Sequence, residues 1–394
     1  MAINSLALSA ETRLLFSLAR EPVDDAVVSA LLHQPLDWSR LMAVAQREKA
    51  LSVLADQIGA KLAAPLPPGA AALRRVAMLT TFHLAHLEER LQQTVAALAD
   101  AGIRVVLLKG AGLAYTAYPT FTARPMADLD VLLRAGEAQR AQALLTTIGW
   151  EYPQTPAIDS FYRDHHHLPP MHDRRVRSAT LELHTELFIA GHPLGLTGEA
   201  VWAAALPVMV GATQAFVPHP HHQLLHACLH FAWGHGMQSG AWRTFRDVAA
   251  IIRAGGVEWE AFLRLAEASR GQSCCYWTFE LARVLSGIAR VPPEVMQRLR
   301  PPHSRVVHDR IRRHLALTLL PSESVSPSVR LDRFIWEAAI MPDHYGHGST
   351  RPWAQEDRIV TGAQAAVGGR PNRLMASLHK FGAYSRYVRT MLTR

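Results

Sequence analysis

Between residues 103 and 187 the hydrophobic pattern of this chain changes period, from helical to strand-like. Ile103–Leu108 (IRVVLL) is a β-branched apolar run with the look of a buried strand, and Lys109-Gly110 breaks it at once. Asp128–Leu133 (DLDVLL) is a second strand, and Ala179–Leu187 (ATLELHTEL) alternates as a third. Short helices are expected between them, over Ala111–Tyr118 and over Glu137–Ile148, the latter closed by Gly149. On either side the spacing is helical. Leu14, Leu15, Leu18 and Ala19 form one stripe, and Leu41, Val44, Ala45, Leu51, Val53 and Leu54 another. A proline-rich connector, Ala63–Ala70, leads into a long helix from about Ala71 to Ala101, which Gly102 ends. From about residue 200 helices return, at 220–235, 241–254, 258–270 and 275–289. The expected class is α+β. A small mixed β-sheet core (96–205) lies between an N-terminal helical lobe (1–95) and a C-terminal helical lobe (206–394) that closes over the core.

Composition excludes several alternatives. With 49% hydrophobic and 19% charged residues in 394, the chain can bury a substantial core and is not a disordered protein. A formal charge of +8 suits phosphate-bearing ligands but is small for this length, so nucleic acid is not an expected partner. Lys occurs only at 49, 61, 109 and 380, so a lysine inside a motif is not a product of composition. Cys228, Cys274 and Cys275 make no disulfide framework and no CxxC pair. The first residues lack a basic segment followed by an apolar one, and no apolar run is long enough to span a bilayer; a reducing cytoplasm is the expected compartment. Residues 366–394 carry basic side chains and no acid, which reads as a solvated face or terminal helix.

The chemistry concentrates around Asp128 and Asp130. Two apart on a strand, they project from one face. Carboxylates that close repel each other unless a cation lies between them, so the pair is a platform for a divalent ion. Mg²⁺ is the expected one, since it takes hard oxygen ligands and shares its shell with substrate phosphates. Gly110, where a buried strand meets a helix, allows a tight turn that offers backbone N–H groups to an anion. Lys109 beside it could reach a phosphate. Arg124 arrives just ahead of the carboxylates, either to neutralise phosphate or to orient Asp128 or Asp130 by an ion pair. Glu182 on the third strand supplies another carboxylate, with His184 on its face at i+2, either to orient Glu182, to touch a phosphate, or merely to satisfy its neighbours. Three carboxylates facing a glycine turn and basic groups suit two-metal phosphoryl or nucleotidyl transfer.

The segments LLKGAGLAYTAYP and ARPMADLDVLL, with Gly149-Trp150 and LELH at 181–184, resemble the bacterial uncharacterised nucleotidyltransferase family of the DNA polymerase β-like superfamily. Asp37-Trp38 and the stretch Phe245–Val248 also look similar, so the likeness covers roughly residues 30–255. It implies a nucleotidyltransferase sheet core, two Mg²⁺ ions, Asp128, Asp130 and Glu182 as metal ligands, and Gly110 as the superfamily's glycine turn. Lys109 departs from the Gly or Ser usual in the superfamily. Lys109, Gly110, Arg124 and His184 are then nucleotide-binding candidates. Asp128 and Asp130 would hold the ion on the β,γ-phosphates and, with Glu182, a second one at an acceptor hydroxyl; Glu182 could also be the general base. The substrates would be an NTP and an unidentified small-molecule, sugar or protein hydroxyl. Family likeness would also bring His226, His230 and Asp247 towards the base or acceptor.

The chain's 21 histidines include a run at 165–167 and His222, His226 and His230 on one helical face, with His235 beyond. Without HExxH or a cysteine at ligand spacing, structural or pocket roles are favoured over zinc. Four whole-protein readings therefore stand, led by the Mg²⁺-dependent transferase. A catalytically retired module would usually have lost a carboxylate. A nucleic-acid binder acting through its basic tail would bind with strong salt dependence. A zinc hydrolase would carry stoichiometric zinc.

Overall fold

The computed structural model describes residues 8–59, 68–288, 290–319 and 329–341, with positions 384–385, 387–389 and 391 near the C-terminus. The N-terminal segment before residue 8, most of the connector 63–70 and most of the basic stretch 366–394 lie outside the described residues.

The chain divides into two compact units. One comprises Met1–Glu48, Cys228–Phe245 and Arg270–Arg394; the other comprises Lys49–Ala227 and Arg246–Ser269. The first is built of helices among its described residues. Trp242 anchors it, donating its indole N–H to the Leu15 carbonyl at 2.8 Å while its backbone N–H reaches buried Glu48 at 3.1 Å. Trp336 likewise donates to the Ala232 carbonyl at 2.8 Å. Buried His314 bridges the Tyr387 hydroxyl, at 2.6 Å, and Asp332, at 2.9 Å.

The second unit holds a mixed sheet. Its strands are β1 (Val106–Leu107), β2 (Asp128–Leu132), β3 (Trp150–Glu151), β4 (Met171–Asp173), β5 (Thr180–His184), β6 (Leu206–Val210) and β7 (Thr213–Val217), in the order β3-β4-β5-β2-β1-β7-β6. The β2–β5 and β1–β7 pairs are parallel and the rest antiparallel. The helix Pro68–Asp100 lays Leu84, Leu87, Leu91, Val95 and Leu98 on the sheet, where they meet Leu129, Val131, Leu181 and Leu183. That i, i+3, i+4 spacing is the apolar stripe of an amphipathic helix. Its end is built as the sequence suggests: Gly102 takes φ +72°, and the Ile103 N–H reaches back to the Leu98 carbonyl at 2.8 Å, which a left-handed glycine permits.

The mixed α+β class expected from the sequence is the one observed. Four details differ. The first strand is paired over two residues only, because Val106 must face Leu132 on one side and Phe216 on the other before the chain turns into a helix. That helix, Lys109–Thr116, begins two residues earlier than expected, with Lys109 itself at φ +43°. The short strands β3 and β4 extend the sheet beyond β5. The hairpin β6–β7 lies where helices were expected to have resumed; a two-residue turn opened by Gly211 at φ +60° joins its strands. Among the described residues, no helix is long and apolar enough to cross a membrane.

Candidate functional site

Strand register decides what the sheet presents. In the parallel β2–β5 pair, Asp128 lies opposite Thr180, Asp130 opposite Glu182 and Leu132 opposite His184. Leu129, Val131, Leu181 and Leu183 therefore face the core, and the carboxylates and His184 share the other face. There the side chains converge. The Lys109 ammonium lies 2.7 Å from Asp130 Oδ1 and 4.0 Å from Glu182 Oε2. His184 Nε2 lies 2.9 Å from the same Asp130 oxygen and 3.3 Å from the same Glu182 oxygen. Asp130, Glu182 and His184 bring their ligand atoms within 4.8 Å of one another.

The electrostatics are unequal among the three acids. Burial alone would raise the Asp130 carboxyl, but the Lys109 charge and the His184 hydrogen bond hold it well below the usual carboxylate range. Glu182 is lowered too: burial and Asp130 oppose ionisation, and the His184 hydrogen bond and Lys109 outweigh them. Asp128 goes the other way. Burial and then the Asp130 charge push it up, with Lys109 offsetting part. On the basic side, burial would lower both Lys109 and His184, yet the carboxylates leave both raised. The Lys109 charge and the His184 hydrogen bonds thus satisfy Asp130 and Glu182 and leave Asp128 short of a partner. A hard cation fits that deficit, since the donors on this face are carboxylate oxygens.

Glycines set the approach of the helix Lys109–Thr116. A Cβ at Gly112 would stand 2.4 Å from the Leu107 carbonyl oxygen, which backbone cannot vacate. One at Gly110 would stand 3.0 Å from Arg124 Nη1 and 3.3 Å from Met126. The helix start has no side-chain cap, so its first N–H groups lack that partner.

Arg124 lies beside this turn and is fully engaged elsewhere. It forks onto Asp247 at 2.8 and 2.6 Å and donates a third bond to the Pro125 carbonyl at 2.6 Å. The Tyr118 hydroxyl also donates to Asp247, at 2.7 Å. Burial would lower the guanidinium, but Asp247 raises it further above its ordinary range. Arg124 and Asp247 thus meet each other, and the partner is neither Asp128 nor Asp130.

The histidines separate into groups. His165, His166 and His167 cluster beside His184, their rings 4.3–4.7 Å apart. His226 is buried, and burial, then the charges of Lys109 and His184, lower it to about 3. His222 is lowered to about 4 by burial and neighbouring histidines. His230 belongs to the helical unit, where its ring packs on His235 at 4.5 Å.

Sequence reasoning passed over two contributors. Gly112 is required by packing, and its signal was the second glycine of Lys109-Gly110-Ala111-Gly112. Lys49, another of the rare lysines, acts on Asp128 electrostatically and sits at φ +56°. Both lysines whose charge reaches Asp128 therefore hold a left-handed backbone, a conformation that concentrates at functional sites.

A family described as an uncharacterised nucleotidyltransferase matches residues 34–287, which takes in every strand of the sheet and every residue of the carboxylate cluster. No curated protein matches the chain.

Proposed function

The chain belongs to the uncharacterised nucleotidyltransferase family, and from that membership and the carboxylate cluster we propose an Mg²⁺-dependent transfer of an NMP from an NTP to an acceptor hydroxyl. The observation that carries the reading is the pairing of Asp130 with Glu182 in register, with Asp128 on the same face and short of a counter-charge. Asp128, Asp130 and Glu182 would be the ligands of the metal, two ions being expected. When bound, Mg²⁺ supplies charge neutralisation at the phosphates and acidifies the acceptor hydroxyl.

The chain's own groups do the rest. Lys109, 2.7 Å from Asp130, would trade part of that contact for a phosphate oxygen as a mobile point charge. The amides at Gly110 would receive another phosphate oxygen at the start of the helix. His184, hydrogen-bonded to Asp130 and Glu182, would hold both carboxylates in orientation. Glu182 would take the acceptor proton as the oxygen–phosphorus bond forms and pyrophosphate leaves. Arg124 takes a structural part in this account, bracing the Gly110 turn from its bond with Asp247.

The test is pyrophosphate release from each NTP with Mg²⁺ and mixed acceptors, by wild type and by Glu182→Gln. Release by wild type alone supports transfer. Release that Glu182→Gln retains in full would sink the assignment of that residue. No release under any condition would favour the alternative, a retired binding module in which Lys109 and His184 satisfy the carboxylates in place of a metal.

A further inference from the structure

Three consecutive histidines in an extended chain would alternate sides. Here the helix Pro156–Tyr162 ends and the chain bends at 165–166, so the three rings fold together. The His165–His166 centroids are 4.4 Å apart, His165–His167 4.3 Å and His166–His167 4.7 Å. One nitrogen from each lies within 4.8 Å of the others. These rings are short of partners. The Nδ1 atoms of His165 and His166 are buried with no hydrogen bond. His167 Nδ1 lies 2.7 Å from the Leu168 carbonyl, which can only accept, so Nδ1 carries the proton and Nε2 presents its lone pair. A metal-binding histidine is typically fixed in that way, by donating its other ring N–H to a backbone carbonyl.

A second, separate observation comes from His184. Its ring lies 5.3 Å from His166 and 5.1 Å from His167. It is 1% exposed, its Nε2 serves the carboxylates, and its Nδ1 is buried without a hydrogen bond. Glu182 is close enough for its charge to act on both His165 and His167. Four imidazoles with unspent nitrogens beside an anion make a cradle for a cation of a different kind from the one the carboxylates take.

We propose that His165, His166 and His167 form a second metal site, for a borderline divalent transition ion such as Zn²⁺, next to the carboxylate cluster. Imidazole donors favour Zn²⁺, Co²⁺ or Ni²⁺ over Mg²⁺, which selects oxygen. Three protein ligands leave a fourth position of a tetrahedral ion to water or to His184. The bound ion would pin residues 165–167 to β5, whose His184 already bridges to the isolated pairing at His167.

The experiment uses the full chain, free of any affinity tag and stripped with chelator, titrated with Co²⁺ and followed by visible absorption. One equivalent of Co²⁺ giving an intense tetrahedral band is expected, unchanged by millimolar Mg²⁺. The band should persist in Asp130→Asn/Glu182→Gln, and His165→Ala/His166→Ala should weaken Co²⁺ binding by about tenfold or more. Weak octahedral absorption alone in the wild type, or binding that Mg²⁺ displaces, would overturn the proposal without recourse to any variant. So would a band lost in the carboxylate variant and kept in the histidine variant. Zn²⁺ competition against the Co²⁺ band gives the preferred ion.

Discussion

Two charged clusters lie side by side in the sheet unit, the first buried, the second half-buried, and they are differently finished. In one, Arg124, Asp247 and Tyr118 close on themselves through charge-assisted and hydroxyl hydrogen bonds of 2.6–2.8 Å. In the other, Lys109 and His184 crowd one oxygen each of Asp130 and Glu182, and Asp128 is left with its ionisation disfavoured. The difference is whether the protein completes its own charge balance, as the first cluster does and the second, at Asp128, does not.

That contrast can be broken by substitution. Asp130→Asn keeps an acceptor oxygen for Lys109 but removes the charge, and NMP transfer should fall by roughly a thousandfold or more while the fold survives. A variant within tenfold of wild type would place the chemistry elsewhere. Asp247→Ala should act in the opposite way, stranding a buried guanidinium at a cost of about 3–5 kcal/mol in urea unfolding. Replacing both partners, Arg124→Met with Asp247→Leu, should recover most of that loss; no recovery would mean the cluster does more than balance charge.

Gly110→Ala probes the seam between the clusters. Its Cβ would meet Arg124 Nη1 at 3.0 Å and Met126 at 3.3 Å, so about 1–3 kcal/mol of destabilisation is expected, measured by thermal unfolding. A neutral result would show that Arg124 can withdraw and that the turn is not braced by it. The smallest effect is on pH. His222 and His226 titrate at about 4 and about 3 in the folded protein, below the ordinary imidazole value. Between those values and about 6.5 the unfolded chain binds more protons, so stability is full above about 6.5 and declines as pH falls. A Tm lower by roughly 2–4 °C at pH 5 than at pH 7 is the expected reading. A Tm that rises on acidification would contradict the buried-neutral assignment.

The carboxylate face was legible because its signal is local. Strand alternation put Asp128 with Asp130 and Glu182 with His184, and the family resemblance brought the two pairs together. What the sequence did not carry was long-range pairing. Arg124 and Asp247 are 123 positions apart, and nothing in either segment marks the other as its partner. The hairpin at 206–217 was written in a local signal, a Gly-x turn between alternating runs, and was passed over in favour of the helices that follow. The convergence of His165, His166 and His167 depends on a backbone bend, which periodicity cannot foresee.

The most direct test of the account is nucleotide binding by thermal shift, with ATP, GTP, CTP and UTP, with and without Mg²⁺, on wild type, Asp128→Asn and the Arg124→Met/Asp247→Leu pair. A ligand that binds only the native state raises Tm by mass action. The account predicts a magnesium-dependent rise with at least one nucleotide that disappears in Asp128→Asn and survives in the paired variant, together with a slightly higher Tm for metal-free Asp128→Asn from relieved repulsion. A shift that persists undiminished in Asp128→Asn, or one lost with the Arg124–Asp247 pair instead, would contradict it.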